Sequence, residues 1–270
     1  MSLSLDATQL DRYSRHIIMD EIGPEGQAKL LDGSVLVVGA GGLGSPAIQY
    51  LAAAGVGRLG IVDDDDVERS NLQRQIVHAD ADVGRPKAES AAEYVRDLNP
   101  DIAVEPRQTR LDPANAAELI DDYDVVVDAS DNFATRYLLN DVSRLHGTPL
   151  VHGAIYRFEG QATTLRPGGP CYRCLFPEAP DPGEIPDCAT TGVLGVLPGT
   201  VGCIQATEAA KLLLGIGEPL DGRLLFYDAM GMRFDTVEYA PDPDCRVCGE
   251  DPIESIDGIE YTAGCAIEAH

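Results

Sequence analysis

Lysine is nearly missing from this chain of 270 residues: Lys29, Lys87 and Lys211 are its only three, and the other cations are arginines. Set against 45 Asp plus Glu, the 20 Lys plus Arg leave a formal net charge of −25. That balance excludes a broad basic footprint, and with it nucleic acid as a direct, patch-bound partner, because phosphate binding relies on clustered cations. A charged tail is lacking too: the acids are scattered, and 44% hydrophobic residues supply a core that a disordered chain would not have. A surface at −25 repels itself in dilute salt. Molar salt shortens the Debye length to about 3 Å and removes that repulsion. Abundant Asp with scarce Lys therefore predicts a cytoplasm of very high salt, as in a halophile.

A basic-then-apolar leader is absent from the first ten residues, which carry Asp6, so no secretory segment is expected. Unbroken apolar runs of membrane length are missing as well. The stretches 34–57 and 188–207 come nearest, but Pro46 and six glycines interrupt the first, and Gly192, Gly195, Pro198, Gly199 and Gly202 the second. Such breakers suit a buried strand–turn–helix better than a spanning helix. A soluble, cytoplasmic chain with no membrane partner is expected. Internal repeats and linker-like segments are also lacking. One domain over 1–270 follows, with an N-terminal helical segment (1–33), a nucleotide-binding half (34–154), later strands with a crossover loop and metal site (155–249), and a tail (250–270). In a reducing compartment, seven cysteines point to metal or catalysis before disulfides.

What is present alternates. Ser34–Val38 is a β-branched run of the kind buried in parallel sheets, followed by a glycine turn and an Ala-rich helix over Ser45–Ala54. Leu59–Val62, Ile102–Glu105, Val125–Val127 and Leu150–Val151 read as further strands. Helical segments over Arg85–Leu98, Pro113–Ile120 and Phe133–Leu145 separate them, Asp112 being placed to cap the second. This order predicts an α/β fold with a doubly wound, mostly parallel Rossmann-like sheet. Phe158–Leu165, Leu224–Tyr227 and Phe234–Tyr239 read as later, antiparallel strands. Pro177–Pro186 reads as a loop and Pro198–Leu214 as a nearly apolar helix, with Cys203 packed in the core.

Gly39-Ala40-Gly41-Gly42-Leu43-Gly44 satisfies G-x-G-x-x-G between a strand and a helix, where backbone and helix N-terminus together hold phosphate. Asp63, ending the second strand, is placed to grip a ribose hydroxyl. The motif alone fits a dinucleotide as well as ATP. Ser70-Asn71-Leu72-Gln73-Arg74-Gln75 and Gly84-Arg85-Pro86-Lys87 add cations that a nicotinamide site has little use for. A triphosphate under cleavage needs them, because charge builds on its phosphates. The plainer role for Arg74 and Lys87 is a surface salt bridge. Asp131, beyond the fourth strand, suits either Mg²⁺ or the cap of the next helix. Cys171-x-x-Cys174 and Cys245-x-x-Cys248 suit a tetrahedral structural zinc, a four-cysteine clip joining a late segment to an earlier one. Cys188 stands apart as a nucleophile or a filler thiol; Cys265 has no assignable role.

Together, Arg12-Tyr13-Ser14-Arg15-His16, the 39–44 turn, Asp63 with Asp65, the 70–75 segment, Gly84–Lys87, Asp131-Asn132, the paired CxxC and Cys188 resemble the ThiF/MoeB/HesA family of adenylating enzymes, relatives of ubiquitin-activating enzymes. With the acidic composition, the resemblance points to the haloarchaeal branch. It implies that a small β-grasp protein ending in Gly-Gly offers its C-terminal carboxylate to the α-phosphate of Mg-ATP. It places phosphates at Gly42, Arg74 and Lys87 and the triphosphate at Asn71. Ribose falls at Asp63, and Mg²⁺ or catalytic support at Asp65 and Asp131. Gly39, Gly41, Gly44, Ser70, Leu72, Gln73 and Asn132 complete the nucleotide set. Arg15 corresponds to an arginine finger that reaches across a homodimer, and Cys188 to the cysteine that takes the acyl group as a thioester. The stretch after Cys248 is too short for an appended sulfur-transfer domain, so a separate sulfur donor is expected for tRNA thiolation and molybdenum cofactor synthesis. Two other classes compete. An NAD(P)-dependent oxidoreductase uses the same turn but leaves 70–75 and Lys87 without a task. A zinc-clipped scaffold would bind a β-grasp protein without activating it.

Overall fold

A computed structural model describes residues 5–180 and 192–261. Three short helices open the chain: α1 (Ala7–Arg12), α2 (Ser14–Ile17) and α3 (Gly23–Asp32). Asp6 starts α1 with a reciprocal cap, its carboxylate accepting the Gln9 N–H at 2.8 Å while Gln9 Oε1 accepts the Asp6 N–H at 3.2 Å. Strands and helices then alternate as β1 (Ser34–Val38), α4 (Gly44–Ala54), β2 (Arg58–Val62), α5 (Lys87–Leu98), β3 (Ala103–Arg107), α6 (Ala116–Asp121), β4 (Val125–Asp128), α7 (Phe133–His146) and β5 (Leu150–Tyr156). The remainder comprises β6 (Glu159–Leu165), α8 (Tyr172–Leu175), α9 (Val196–Leu214), β7 (Arg223–Asp228) and β8 (Arg233–Glu238).

Among the described residues, eight strands form one sheet in the order β3-β2-β1-β4-β5-β6-β7-β8. The first five are parallel; β6, β7 and β8 are each antiparallel to the strand before them. The mostly parallel, doubly wound sheet with later antiparallel strands is the architecture the alternation predicted. Strand alternation divides the interior into two cores. Val35 and Val37 of β1 and Val125 and Val127 of β4 face α3, α4, α5 and α9. Leu36, Val38 and Val126 face α6 and α7 on the other side. Burying each such side chain contributes about 1.5–3 kcal/mol against solvent exposure, which explains why both faces of β1 are apolar. No helix among the described residues is long and apolar enough to cross a membrane.

Several boundaries differ from the sequence expectation for local reasons. α6 begins at Ala116 rather than Pro113, because the Asp112 carboxylate caps the intervening turn, accepting the Ala114 N–H at 2.8 Å and the Asn115 N–H at 3.1 Å. β3 extends to Arg107 and contains Pro106, tolerated because β3 lies at the sheet edge. α9 is less uniformly apolar in role than its composition implies. Its buried Glu208 accepts the Thr164 hydroxyl at 2.7 Å and the Leu220 N–H at 2.6 Å, and pairs with Lys211. Cys203 on α9 is half-buried rather than core.

Since the charge balance opposes compaction at low ionic strength, the melting midpoint is expected to rise when KCl goes from about 0.1 M to about 1 M, as the Debye length falls from about 10 to about 3 Å. Thermal denaturation followed by circular dichroism checks this; a midpoint independent of salt contradicts it.

Candidate active site

β1 and β4 are neighbours whose following helices lie on opposite faces of the sheet, so their C-terminal ends open a crevice. The glycine turn lines one side. Gly39 has φ +101°, and a Cβ there would stand 2.6 Å from the Ala129 carbonyl oxygen; a Cβ on Gly44 would stand 1.8 Å from the Gly39 carbonyl. Only glycine permits both approaches. The turn is then held at both ends of one residue. Asp63 Oδ2 accepts the Ala40 N–H at 2.7 Å, and His78 Nε2 donates to the Ala40 carbonyl at 2.9 Å while Nδ1 accepts from the Ser90 hydroxyl at 2.8 Å. A carbonyl can only accept, which fixes that tautomer. Burial pushes the His78 pKa below its usual value, so the ring stays neutral. Burial raises the Asp63 carboxyl above its usual value, against the opposing pull of Lys87 and of the Ala40 and Asp65 N–H groups.

Lys87 reaches this corner through backbone pairing. Asp66 and Pro86 form an antiparallel bridge, Val67 N–H donates to Arg85 O at 2.8 Å, and Lys87 N–H donates to Asp65 O at 2.9 Å. The Lys87 ammonium lies 2.7 Å from Asp65 Oδ2, its side chain only 8% exposed. A cation this buried on a chain that avoids lysine is a built feature of the crevice, unlike the exposed Arg69–Asp80 and Arg85–Glu93 pairs. The 70–75 segment begins within a 3₁₀ turn at Arg69–Asn71, in which the buried Asn71 side chain accepts the Glu68 N–H at 3.0 Å. Ser70 donates to Glu68 at 3.0 Å, Leu72 is half-buried and Gln73 exposed. A Cβ on Gly42 would meet Arg74 Cγ at 3.5 Å, and one on Gly41 would meet Gln75 Nε2 at 3.6 Å, so this segment flanks the glycine turn. Gly39, Gly41, Gly42, Gly44, Asp63, Asp65, Arg74 and Lys87 therefore meet in one place.

Asp131 is exposed in the loop after β4. The cap of α7 is Asn132, whose Oδ1 accepts the Thr135 N–H at 2.9 Å, so Asp131 does not serve as that cap. Arg15 does not join the cluster within one chain. It is exposed on α2, whose neighbour Tyr13 packs against Gly55 and accepts from Asn99 at 2.8 Å, at the end of the strands opposite the glycine turn. Cys188 lies outside the described residues, as does Cys265.

Cys171, Cys174, Cys245 and Cys248 present their sulfurs within 4.8 Å of one another. Their separations are 3.5 Å for Cys171–Cys245, 3.3 Å for Cys174–Cys248 and 4.0 Å for Cys171–Cys174. Four thiolates about 2.3 Å from one tetrahedral ion would stand about 3.8 Å apart, so the donor set fits such a metal. Burial and then the neighbouring thiols raise the Cys171 pKa, and burial with the Cys174 contact pushes Cys248 up to about 12. A bound cation would relieve that repulsion. The clip is tied to α7 by groups between its cysteines: the Tyr172 N–H donates to Asn140 at 2.7 Å, and Arg173 forms a two-pronged pair with Asp141 at 2.8 and 2.7 Å. Asn140 Nδ2 and the Tyr261 hydroxyl also donate to Asp141, at 2.9 and 2.8 Å. Sequence reasoning missed Asp141 and His78. Each is a single polar residue inside a stretch whose pattern reports only burial; the pairing of Asp141 with an arginine inside the CxxC was the one available signal.

A glycine-cornered nucleotide crevice on a doubly wound sheet, with a four-cysteine clip beside it, defines an α/β nucleotide-binding enzyme class. The ThiF family model matches residues 13–247, and the chain belongs to that family. It is 74% identical to the SAMP-activating enzyme E1 of Haloferax volcanii over 267 residues, 99% of each chain. It is 52% identical to the sulfur carrier protein adenylyltransferase of Thermus thermophilus, over 96% of this chain and 97% of that one. Among solved structures, Escherichia coli MccB with MccA-N7isoASN has the same fold, with a TM-score of 0.79 at 22% identity, covering 88% of this chain and 75% of that one.

Metal analysis of the purified protein is expected to find about one ion per chain. Cys245→Ser should lose that ion and lower the melting midpoint by about 5 °C or more; a metal-free protein of unchanged stability contradicts the assignment.

Proposed function

We propose that this chain is an adenylyltransferase that activates the C-terminal glycine of small ubiquitin-like β-grasp proteins with ATP, serving protein conjugation and sulfur transfer. The observation that carries this is the meeting of the glycine turn, Arg74 and the buried Lys87 at the ends of β1 and β2. The 74% identity to a SAMP-activating enzyme and the 52% identity to a sulfur carrier protein adenylyltransferase support it. Arg74 and Lys87 match a triphosphate and have no task in hydride transfer.

The chemistry is a displacement at phosphorus. A carboxylate oxygen of the partner's terminal glycine attacks the α-phosphorus of ATP, the bond to the bridging oxygen breaks, and pyrophosphate leaves with that electron pair. Two anions must approach each other, so neutralising charge and fixed orientation supply most of the catalysis. The backbone at Gly42 with Arg74 and Lys87 receives the phosphates, Asn71 shapes the segment beside them, and Asp63 takes the ribose. Asp65 and Asp131 would hold the Mg²⁺ that accompanies ATP and screens its charge. Arg15 acts from the second subunit of a homodimer, consistent with its position away from its own crevice. Cys188 then attacks the acyl-adenylate carbonyl, forming a thioester and releasing AMP. The four-cysteine clip holds zinc in a structural role. The exposed Phe226, Phe234 and Val237 of the β7–β8 hairpin, with Met230 and Met232 at its turn, suit the apolar body of a β-grasp partner.

Exchange of label between pyrophosphate and ATP, in molar KCl with a Gly-Gly-ended β-grasp protein, tests this. Exchange is expected only with the partner, and Lys87→Ala should reduce it by about 10²–10³-fold while the circular dichroism spectrum is kept. Partner-independent exchange, or a Lys87→Ala rate equal to wild type, overturns the assignment. Cys188→Ser is expected to retain exchange and lose the thiol-sensitive partner adduct seen by intact mass; an unchanged adduct removes Cys188 from the mechanism.

A further inference from the structure

Beneath the loop that carries Asp131 lies a buried polar network to which the chemistry above gives no task. Asp128, the last residue of β4, and His152, its register partner on β5, are each only 1% exposed. The Asp128 carboxylate is wired on both oxygens. Oδ1 accepts the Ser130 hydroxyl at 2.5 Å and the Ser130 N–H at 3.1 Å, and Oδ2 accepts His152 Nδ1–H at 2.7 Å. Gln205 of α9 donates to the Asp128 carbonyl at 2.6 Å and to the Val151 carbonyl at 3.2 Å. Arg136 of α7 donates to the Ser130 carbonyl at 3.3 Å. Four elements, β4, β5, α7 and α9, thus converge on Asp128 and Ser130, which lie three residues and one residue before Asp131.

The residue between them, Ala129, is the one whose carbonyl leaves no room for a Cβ on Gly39. The Ala129 N–H also donates to the Val38 carbonyl at 2.9 Å, so the Ala129 backbone is held directly against the start of the glycine turn. A carboxylate only accepts, so His152 carries its proton on Nδ1, and Nε2 is an acceptor with no partner among the described residues. Burial holds the His152 pKa below its usual value. Burial alone would raise Asp128, but the His152 contact and Ser130 hold it lower. The pair is thus a neutral imidazole and a carboxylate. A buried carboxylate is costly unless it is well paired, and removing His152 would leave Oδ2 unpaired directly under the loop.

We infer that His152 and Asp128 are positioning residues for adenylation: their contact sets where the Ala129–Asp131 loop stands against the glycine turn and so presents Asp131 to the nucleotide. This rests on the function proposed above. Neither residue touches substrate.

The test is partner-dependent pyrophosphate exchange as a function of ATP concentration, for wild type, His152→Leu, His152→Asn and Ser130→Ala, with thermal melts in parallel. His152→Leu is expected to raise the KM for ATP about tenfold, since small misplacements of a site carry large kinetic effects. His152→Asn supplies an amide N–H where Nδ1–H stood and should return the KM to within about threefold of wild type. Ser130→Ala, which keeps the His152 contact and removes one donor, should fall between them. A merely structural role would lower the melting midpoint and the active fraction while leaving the KM for ATP unchanged, and His152→Asn would then be no better than His152→Leu; that pattern overturns the inference. If His152→Leu does not fold, Asp128→Asn, which keeps the side-chain shape and removes the charge that His152 meets, takes its place, and a wild-type KM there overturns the inference. Absence of exchange in the wild type would overturn the proposed function itself, a result distinct from exchange that proceeds with an unmoved KM.

Discussion

The reversal of strand order between β1 and β4 governs this molecule. Each strand must send its chain to a different face of the sheet, so the loops after them part and leave a gap at their C-terminal ends. Gly39 and Ala129 still touch at the floor of that gap. Every group assigned to the nucleotide hangs from one of the two loops or is carried to them by an adjoining segment. Lys87 arrives through the backbone pairing of 65–67 with 84–87, and Arg74 through the turn that follows. The site is therefore an outcome of topology before it is an outcome of side-chain choice.

Charge imposes the second condition. A chain at −25 supplies a hostile setting for the meeting of a carboxylate and a phosphate. The remedy is local: one ammonium withdrawn from solvent, with Asp65 as its partner, beside a glycine backbone whose N–H groups add no counter-ion. Because burial weakens screening, such a cation keeps its influence in salt concentrations that silence the surface. Exposed arginine–carboxylate pairs elsewhere on the chain lack that protection and contribute little in comparison.

The sequence was most legible where one residue type had one physical use. β-Branched runs marked β1, β2 and β4, glycine spacing marked the corner, and the rarity of lysine singled out Lys87. Paired CxxC motifs marked the clip. Legibility failed where two neighbours could do the same job, as with Asp131 and Asn132, both good caps; only the backbone decided for Asn132. It failed also at single polar residues inside apolar stretches. His152 and Gln205 leave no periodic trace, since hydrophobic patterning reports that a position is buried but not what its polar atoms meet. Arg15 could be recognised, but a single chain does not bring it to the crevice.

The two margins of the sheet are unlike each other. At β3, Pro106 interrupts the row of donors, and a prolyl ring there blocks the approach of another strand. At β8 all six residues are exposed, and no proline lies within the strand. Among the described residues, the sheet is thus blocked to a further strand at its β3 margin and open at β8, across the full width of the sheet. A polypeptide adding a strand to this molecule has one direction from which to come, and its body is then kept clear of the α5 and β2 elements that shape the phosphate-binding corner.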